Sequence, residues 1–120
     1  MILQNKVMSM IGLATRAGKI KSGAFAAEAA VKDSSAMLVI VSSDASENTK
    51  KHFKDICSYR NIPYCEFGTM EDLGRFMGKD LRAVAAITDE GFARKTESLI
   101  QEVKNIEDLD RKSTRLNSSH

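Results

Sequence analysis

Five stretches of helical pattern alternate with short apolar runs along this 120-residue chain. That alternation predicts an α/β fold: a three-layer α-β-α sandwich with a small mixed sheet of about four strands. Two of the runs, "AMLVIV" at 36–41 and "AVAAIT" at 83–88, are continuous, built of β-branched and small residues, and too short for helices. They read as strands buried on both faces, which need helices on both sides.

The elements follow in order. Leu3, Val7, Met10, Ile11 and Ala14 keep an i, i+4, i+7, i+8, i+11 series, one face of a first helix that ends before Gly18. "KIKSG" is a short extended piece. Gly23 then opens an alanine-rich second helix, "AFAAEAAVK", in which Glu28 and Lys32 form an i,i+4 pair. Its small side chains allow close packing on a sheet. After the first buried strand, Asp44 or Ser46 caps a third helix whose inner stripe is Thr49, Phe53, Ile56 and Cys57, with Lys50, Lys51 and Lys54 outside. Pro63 opens an edge strand that Tyr64 to Phe67 continue. Thr69, with Asp72 three residues on, caps a fourth helix that Gly78 stops. The closing helix, "DEGFARKTESLIQEVK", turns Phe92, Thr96, Leu99, Ile100 and Val103 inward.

The composition, 42% hydrophobic and 28% charged, belongs to one globular domain, placed at residues 1–108. Residues 109–120 carry three cations of the last ten residues "RKSTRLNSSH" and almost no apolar side chain. They read as a disordered tail, either a non-native scar or a basic arm that holds RNA loosely. No run approaches the apolar length of a membrane span and the start does not read as a signal peptide, so a cytoplasmic protein is expected. Cys57 and Cys65, eight apart, fit neither a zinc site nor a redox pair and are expected to be reduced thiols. Charge is uneven. Residues 1–32 hold Lys6, Arg16, Lys19, Lys21 and Lys32 against Glu28, a net +4, whereas 97–110 hold five acids against Lys104, a net −4. A basic end of this kind suits nucleic acid, although a solvated face explains it equally well.

"GLATRAGKIKSG", residues 12–23, has the look of a phosphate loop without its chemistry. Five residues separate Gly12 from Gly18, Lys19 is followed by Ile20, and the stretch follows a helix rather than a strand, so it is no nucleotide-triphosphate loop. No GxGxxG is present. His52 and Asp55, at i and i+3, could orient one another, but a surface His beside lysines is ordinarily solvated. Asp89 and Glu90 stand at a helix start, where the macrodipole accounts for them. Catalytic residues, metal ligands and cofactors are therefore not expected, and the chain reads as a non-enzyme.

Taken in order, "LATRAGKIKSG", "LVIVSSDASENTKK", "NIPYCEF" with "EDLGRFMGK", and "AVAAITDEGFARK" resemble the family of ribosomal and kink-turn-binding proteins typified by archaeal large-subunit protein L-seven-Ae. "RAGKIKSG" and "TDEGFARK" are most similar to its small stand-alone bacterial branch, the YlxQ type. The resemblance covers about residues 3–104 and implies the same α-β-α sandwich. It also implies RNA held by the start of the second helix, the loop after the central strand and the loop before the last strand. On this chain those are Lys21, Gly23, Ala24 and Phe25; Ser43, Asp44 and Asn48; and Lys79 and Arg82, with Arg16 and Lys19 as further phosphate contacts. At Gly23 the missing side chain lets an RNA backbone approach a helix N-terminus.

Kink-turn binders of this family follow that glycine with Asn-Glu and then Lys, which read base edges; the matching positions here are Phe25, Ala26 and Ala29. None can form those hydrogen bonds, so an atypical specificity is implied. Phe25 either stacks on an unpaired base or packs into the core. The expected protein is a monomeric, non-catalytic binder of structured RNA, ribosomal RNA among the candidates, with neither membrane nor DNA as partner. The alternative is a protein-interaction module that keeps the scaffold and has lost RNA binding.

Overall fold

A computed structural model describes the backbone of residues 2–118 and the surroundings of side chains 3–107. The order is α1 (Ile2–Arg16), β1 (Ile20–Ser22), α2 (Ala24–Lys32), β2 (Leu38–Val41), α3 (Glu47–Arg60), β3 (Tyr64–Glu66), α4 (Met70–Phe76), β4 (Val84–Ile87) and α5 (Glu90–Ser118). The four strands form one mixed sheet in the order β1-β4-β2-β3. β4 runs antiparallel to both β1 and β2, and β2 runs parallel to β3.

Alternation along the strands divides the interior in two. Leu38, Ile40, Cys65, Ala85 and Ile87 face Val7, Ile11, Leu73, Ile100 and Val103 of α1, α4 and α5. Val39, Val41, Val84 and Ala86 face Ala27, Ala30, Val31, Phe53 and Cys57 of α2 and α3. Helices thus cover both faces, giving the three layers. β2 and β4 are wholly buried, as their unbroken apolar runs require. The alanines of α2 and β4 leave that interface thin, which brings α2 close to the strands.

The local signals hold at several element ends. Ser46 Oγ accepts from Thr49 N–H at 3.1 Å and Thr69 Oγ1 from Asp72 N–H at 3.0 Å, capping α3 and α4. Asp89 Oδ2 accepts from Phe92 N–H at 2.9 Å at the start of α5. Gly78, with φ +70°, follows α4 in the left-handed conformation that ends helices. Cys57 and Cys65 are both buried and free. Among the described residues no helix is long and apolar enough to cross a membrane.

The backbone of α5 runs as helix to Ser118, through most of the segment read as a tail; no glycine or proline follows Gly91 to stop it, and residues 119–120 lie outside the described residues. His52, read as a solvated surface residue, is part-exposed and reaches across to α2, its Nε2 3.0 Å from Glu28 Oε1, while Asp55 pairs with Lys51 at 3.0 Å. Lys50 does not stand outside with its neighbours, because its ammonium leans between Glu47 at 3.7 Å and Glu66 at 3.9 Å with 17% of the side chain exposed.

Candidate nucleic-acid interface

Strand direction assembles the site. β1, β2 and β3 all end, and β4 begins, along one edge of the sheet. Helices that return from those strands start on the same edge, so the N-termini of α2, α3 and α4 gather there. Short backbone bonds tie the connecting segments side by side. Gly23 N–H donates to Val84 O at 2.8 Å, Ser42 N–H to Ala83 O at 2.8 Å and Ser43 N–H to Gly68 O at 2.7 Å. Asp44 Oδ1 accepts from Met70 N–H at 3.0 Å, anchoring the segment after β2 to the start of α4.

The start of α2 differs from the other two. Its N-cap is Gly23, at φ +93° and ψ 159°, with no side chain to cap the helix. The amides of the first turn therefore face outward without the hydroxyl that Ser46 and Thr69 supply to α3 and α4, and amides so disposed favour an anion. Arg82 runs alongside: a Cβ built at residue 23 would lie 3.6 Å from Arg82 Cδ and 3.7 Å from Nε. Arg82 is held there by its N–H to Met70 O at 3.1 Å and by its guanidinium to Leu81 O at 2.8 Å. A glycine at the helix start and a guanidinium on its flank make a small concave surface of positive potential.

The residues implied by the resemblance divide by place. Gly23, Ala24, Phe25, Ser43, Asp44, Asn48 and Arg82 share this edge, and Ala24, Ser43, Asp44 and Asn48 are exposed. Phe25 is 91% exposed, which excludes the core reading of this ring. Lys79, also exposed, lies further down the flank of α4, where its N–H bonds to Gly74 O at 2.7 Å. Lys21 lies midway along β1, opposite Ala86, on the side of α2, where it contributes to holding the Asp33 carboxyl below its ordinary pKa after the hydrogen bonds from Ser35. Arg16 and Lys19 stand at the opposite edge: Lys19 O accepts from Thr88 N–H at 2.8 Å, beyond the far end of β4. The net +4 of residues 1–32 is therefore no single patch, and Arg82, from the other end of the chain, is the cation beside Gly23.

Several other titratable groups are engaged in structural pairs. Arg75 bonds Asp72 at 2.9 Å, Arg94 lies 2.5 Å from Glu90, and Tyr64 donates to Glu66 at 2.9 Å. Burial pushes the Cys57 thiol up to about 11, and Cys65 is raised by the same cause. Among the described residues no cluster of three His, Cys, Asp or Glu could hold a metal ion.

Both the sequence and the fold of this chain match a known class of proteins. The chain belongs to the Ribosomal protein L7Ae/L30e/S12e/Gadd45 family, whose model matches residues 5–97. It is 43% identical over 98 residues to the RNA-binding protein YlxQ of Enterococcus faecium, covering 82% of this chain and 94% of that one. To the RNA-binding protein YlxQ of Bacillus subtilis (strain 168) it is 42% identical over 91 residues, covering 76% and 91%. Among solved structures it is similar to a protein with unknown function from Bacillus halodurans C, with a TM-score of 0.77 and 41% identity over 80% of this chain and 97% of that one.

Proposed function

We propose that this chain is a non-catalytic RNA-binding protein of the cytoplasm that acts as a monomer and takes structured RNA, ribosomal RNA included, at the edge formed by Gly23 and Arg82. The observation that carries the reading is the uncapped start of α2 beside the Arg82 side chain. An RNA phosphate can approach amides that no side chain covers, with a guanidinium on its flank. The relatives named as RNA-binding proteins, at more than two-fifths identity over most of the chain, support the same reading. Ala26 and Ala29 stand where kink-turn binders carry polar side chains, so phosphate contacts supply affinity and base-edge reading is reduced.

The test is RNA binding across a salt series, using a kink-turn, a bulged hairpin and ribosomal RNA. Arg82→Glu weakens binding to all of them and lowers the salt slope by about one phosphate contact. Lys19→Glu, at the far edge, leaves affinity close to that of the wild type. Equal losses from both changes would mean diffuse attraction without this surface. No loss from Arg82→Glu would remove Arg82 from it. Recovery of partner proteins that survives RNase treatment, with no RNA bound, would support the protein-interaction alternative.

A further inference from the structure

We propose that the ring of Phe25 is a stacking platform for one unpaired nucleobase, and that this contact makes the protein select RNA with an unpaired or extruded base. The inference rests on the RNA-binding reading above.

Phe25 has no structural employment. It is 91% exposed in the first turn of α2, whereas Ala27, Ala30 and Val31 provide that helix's buried face. Its helical neighbours offer it no apolar contact to share. Ala29, four residues on, is small and exposed, and Glu28, three on, is tied to Lys32 at 2.8 Å and to His52 at 3.0 Å. The ring therefore stands free of the fold.

Its position gives it a use. Residue 25 is two places beyond Gly23, in the same turn whose amides face outward, so a phosphate received there brings a neighbouring base alongside the ring. Base–aromatic stacking needs only an available π face and tolerates every base. A paired base within a stem hides that face. Selection then works through unpairing and not through base identity, which suits a site whose positions 26 and 29 are alanine. A protein contact would be expected to surround its anchor with apolar residues. Here the flank carries Gly23, Ala24 and the Arg82 side chain, with the exposed Leu81 next to Arg82 in the chain.

The experiment uses the full chain with a hairpin whose stem carries a short bulge, 2-aminopurine being placed at each bulge position in turn, and with the same stem fully paired. Wild-type protein prefers the bulged RNA and quenches one 2-aminopurine. Phe25→Ala weakens that complex about 5- to 140-fold, leaves the paired stem unchanged and abolishes the quench. Phe25→Trp restores both affinity and quench. An abasic site at the quenched position costs the wild type as much as Phe25→Ala does and adds nothing to that variant. If Phe25→Ala matches the wild type while Arg82→Glu binds poorly, the stacking inference fails and the edge stands. Equal losses on bulged and paired RNA also overturn stacking, because the ring then aids docking in general. If the wild type binds neither RNA, both readings fall.

Discussion

The side chain of Arg82 lies along the bare Cα of Gly23, with Cδ 3.6 Å and Nε 3.7 Å from where a Cβ would stand. Those are ordinary van der Waals distances, so a methyl group fits. The backbone does not accept it: φ +93° with ψ 159° is a conformation that essentially only glycine adopts. Gly23→Ala is expected to cost about 1–3 kcal/mol in urea unfolding with no change in m. Gly23→Asn gains little over alanine, because asparagine favours the left-handed helical region and not this one. A cost near zero would mean that α2 starts in a different conformation.

Gly74 presents the opposite case. It lies inside α4 with ordinary helical geometry, yet a Cβ there would sit 1.5 Å from Asp80 O and 2.6 Å from Asp80 C. Both are backbone atoms, so the segment 78–82 has to move as a unit. Gly74→Ala is expected to destabilise by about 3 kcal/mol or more and to lower RNA affinity by displacing Arg82. Gly78→Ala meets nothing within 4 Å and costs only its left-handed φ of +70°, about 1–2 kcal/mol. Urea midpoints of the two variants, with RNA binding alongside, check the contrast.

Glu28 joins two helices, accepting from Lys32 on its own helix and from His52 on α3. The Lys32 hydrogen bond, and then that of His52, holds its carboxyl below the usual carboxylate range. A depressed folded pKa contributes stability above the unfolded value and loses it as pH falls through the folded one. Glu28→Gln therefore costs under about 1 kcal/mol at neutral pH, the group being near the surface. The difference from wild type shrinks as pH falls below the ordinary carboxylate value and is gone once it has passed the depressed folded one, as the carboxyl protonates. A gap that persists at lower pH would assign the effect to packing.

The two thiols lie on opposite sides of the sheet, Cys57 with α2 and α3, Cys65 with α1, α4 and α5. They cannot pair within the folded chain. Burial keeps both protonated at neutral pH, with Cys57 pushed up to about 11. A colorimetric thiol reagent at about pH 8 should find no rapidly reacting group in native protein and two after denaturant is added. A fast native thiol would mean that one layer opens easily.

Much of this was legible in the order of residues. The two apolar runs became the central strands, and Thr69 with Asp72, Glu28 with Lys32, and Gly78 behave as their local patterns imply. What could not be read is what depends on strand direction and distant partners. Arg16 and Lys19 adjoin Gly23 in sequence, but the intervening strand carries them to the far edge, where Lys19 meets Thr88. His52 found Glu28 across two helices, 24 residues away, instead of its near neighbour Asp55. Phe25 stayed ambiguous because α2 is apolar nearly all round, so periodicity does not distinguish its two sides.

The sheet works as a septum between two interiors, with Leu38 and Ile40 belonging to one and Val39 and Val41 to the other. The buried side chains of one form a cluster separate from those of the other, and besides the strands it is the connecting segments, Asp44 bonded to Met70 among them, that join the two sides. The layer of α1 and α5 is thus a chassis on which the opposite layer and its edge are mounted. α4 belongs to that same side yet lends its start to the edge, where Met70 holds both Asp44 and Arg82, so a replacement chassis would have to keep α4 in place.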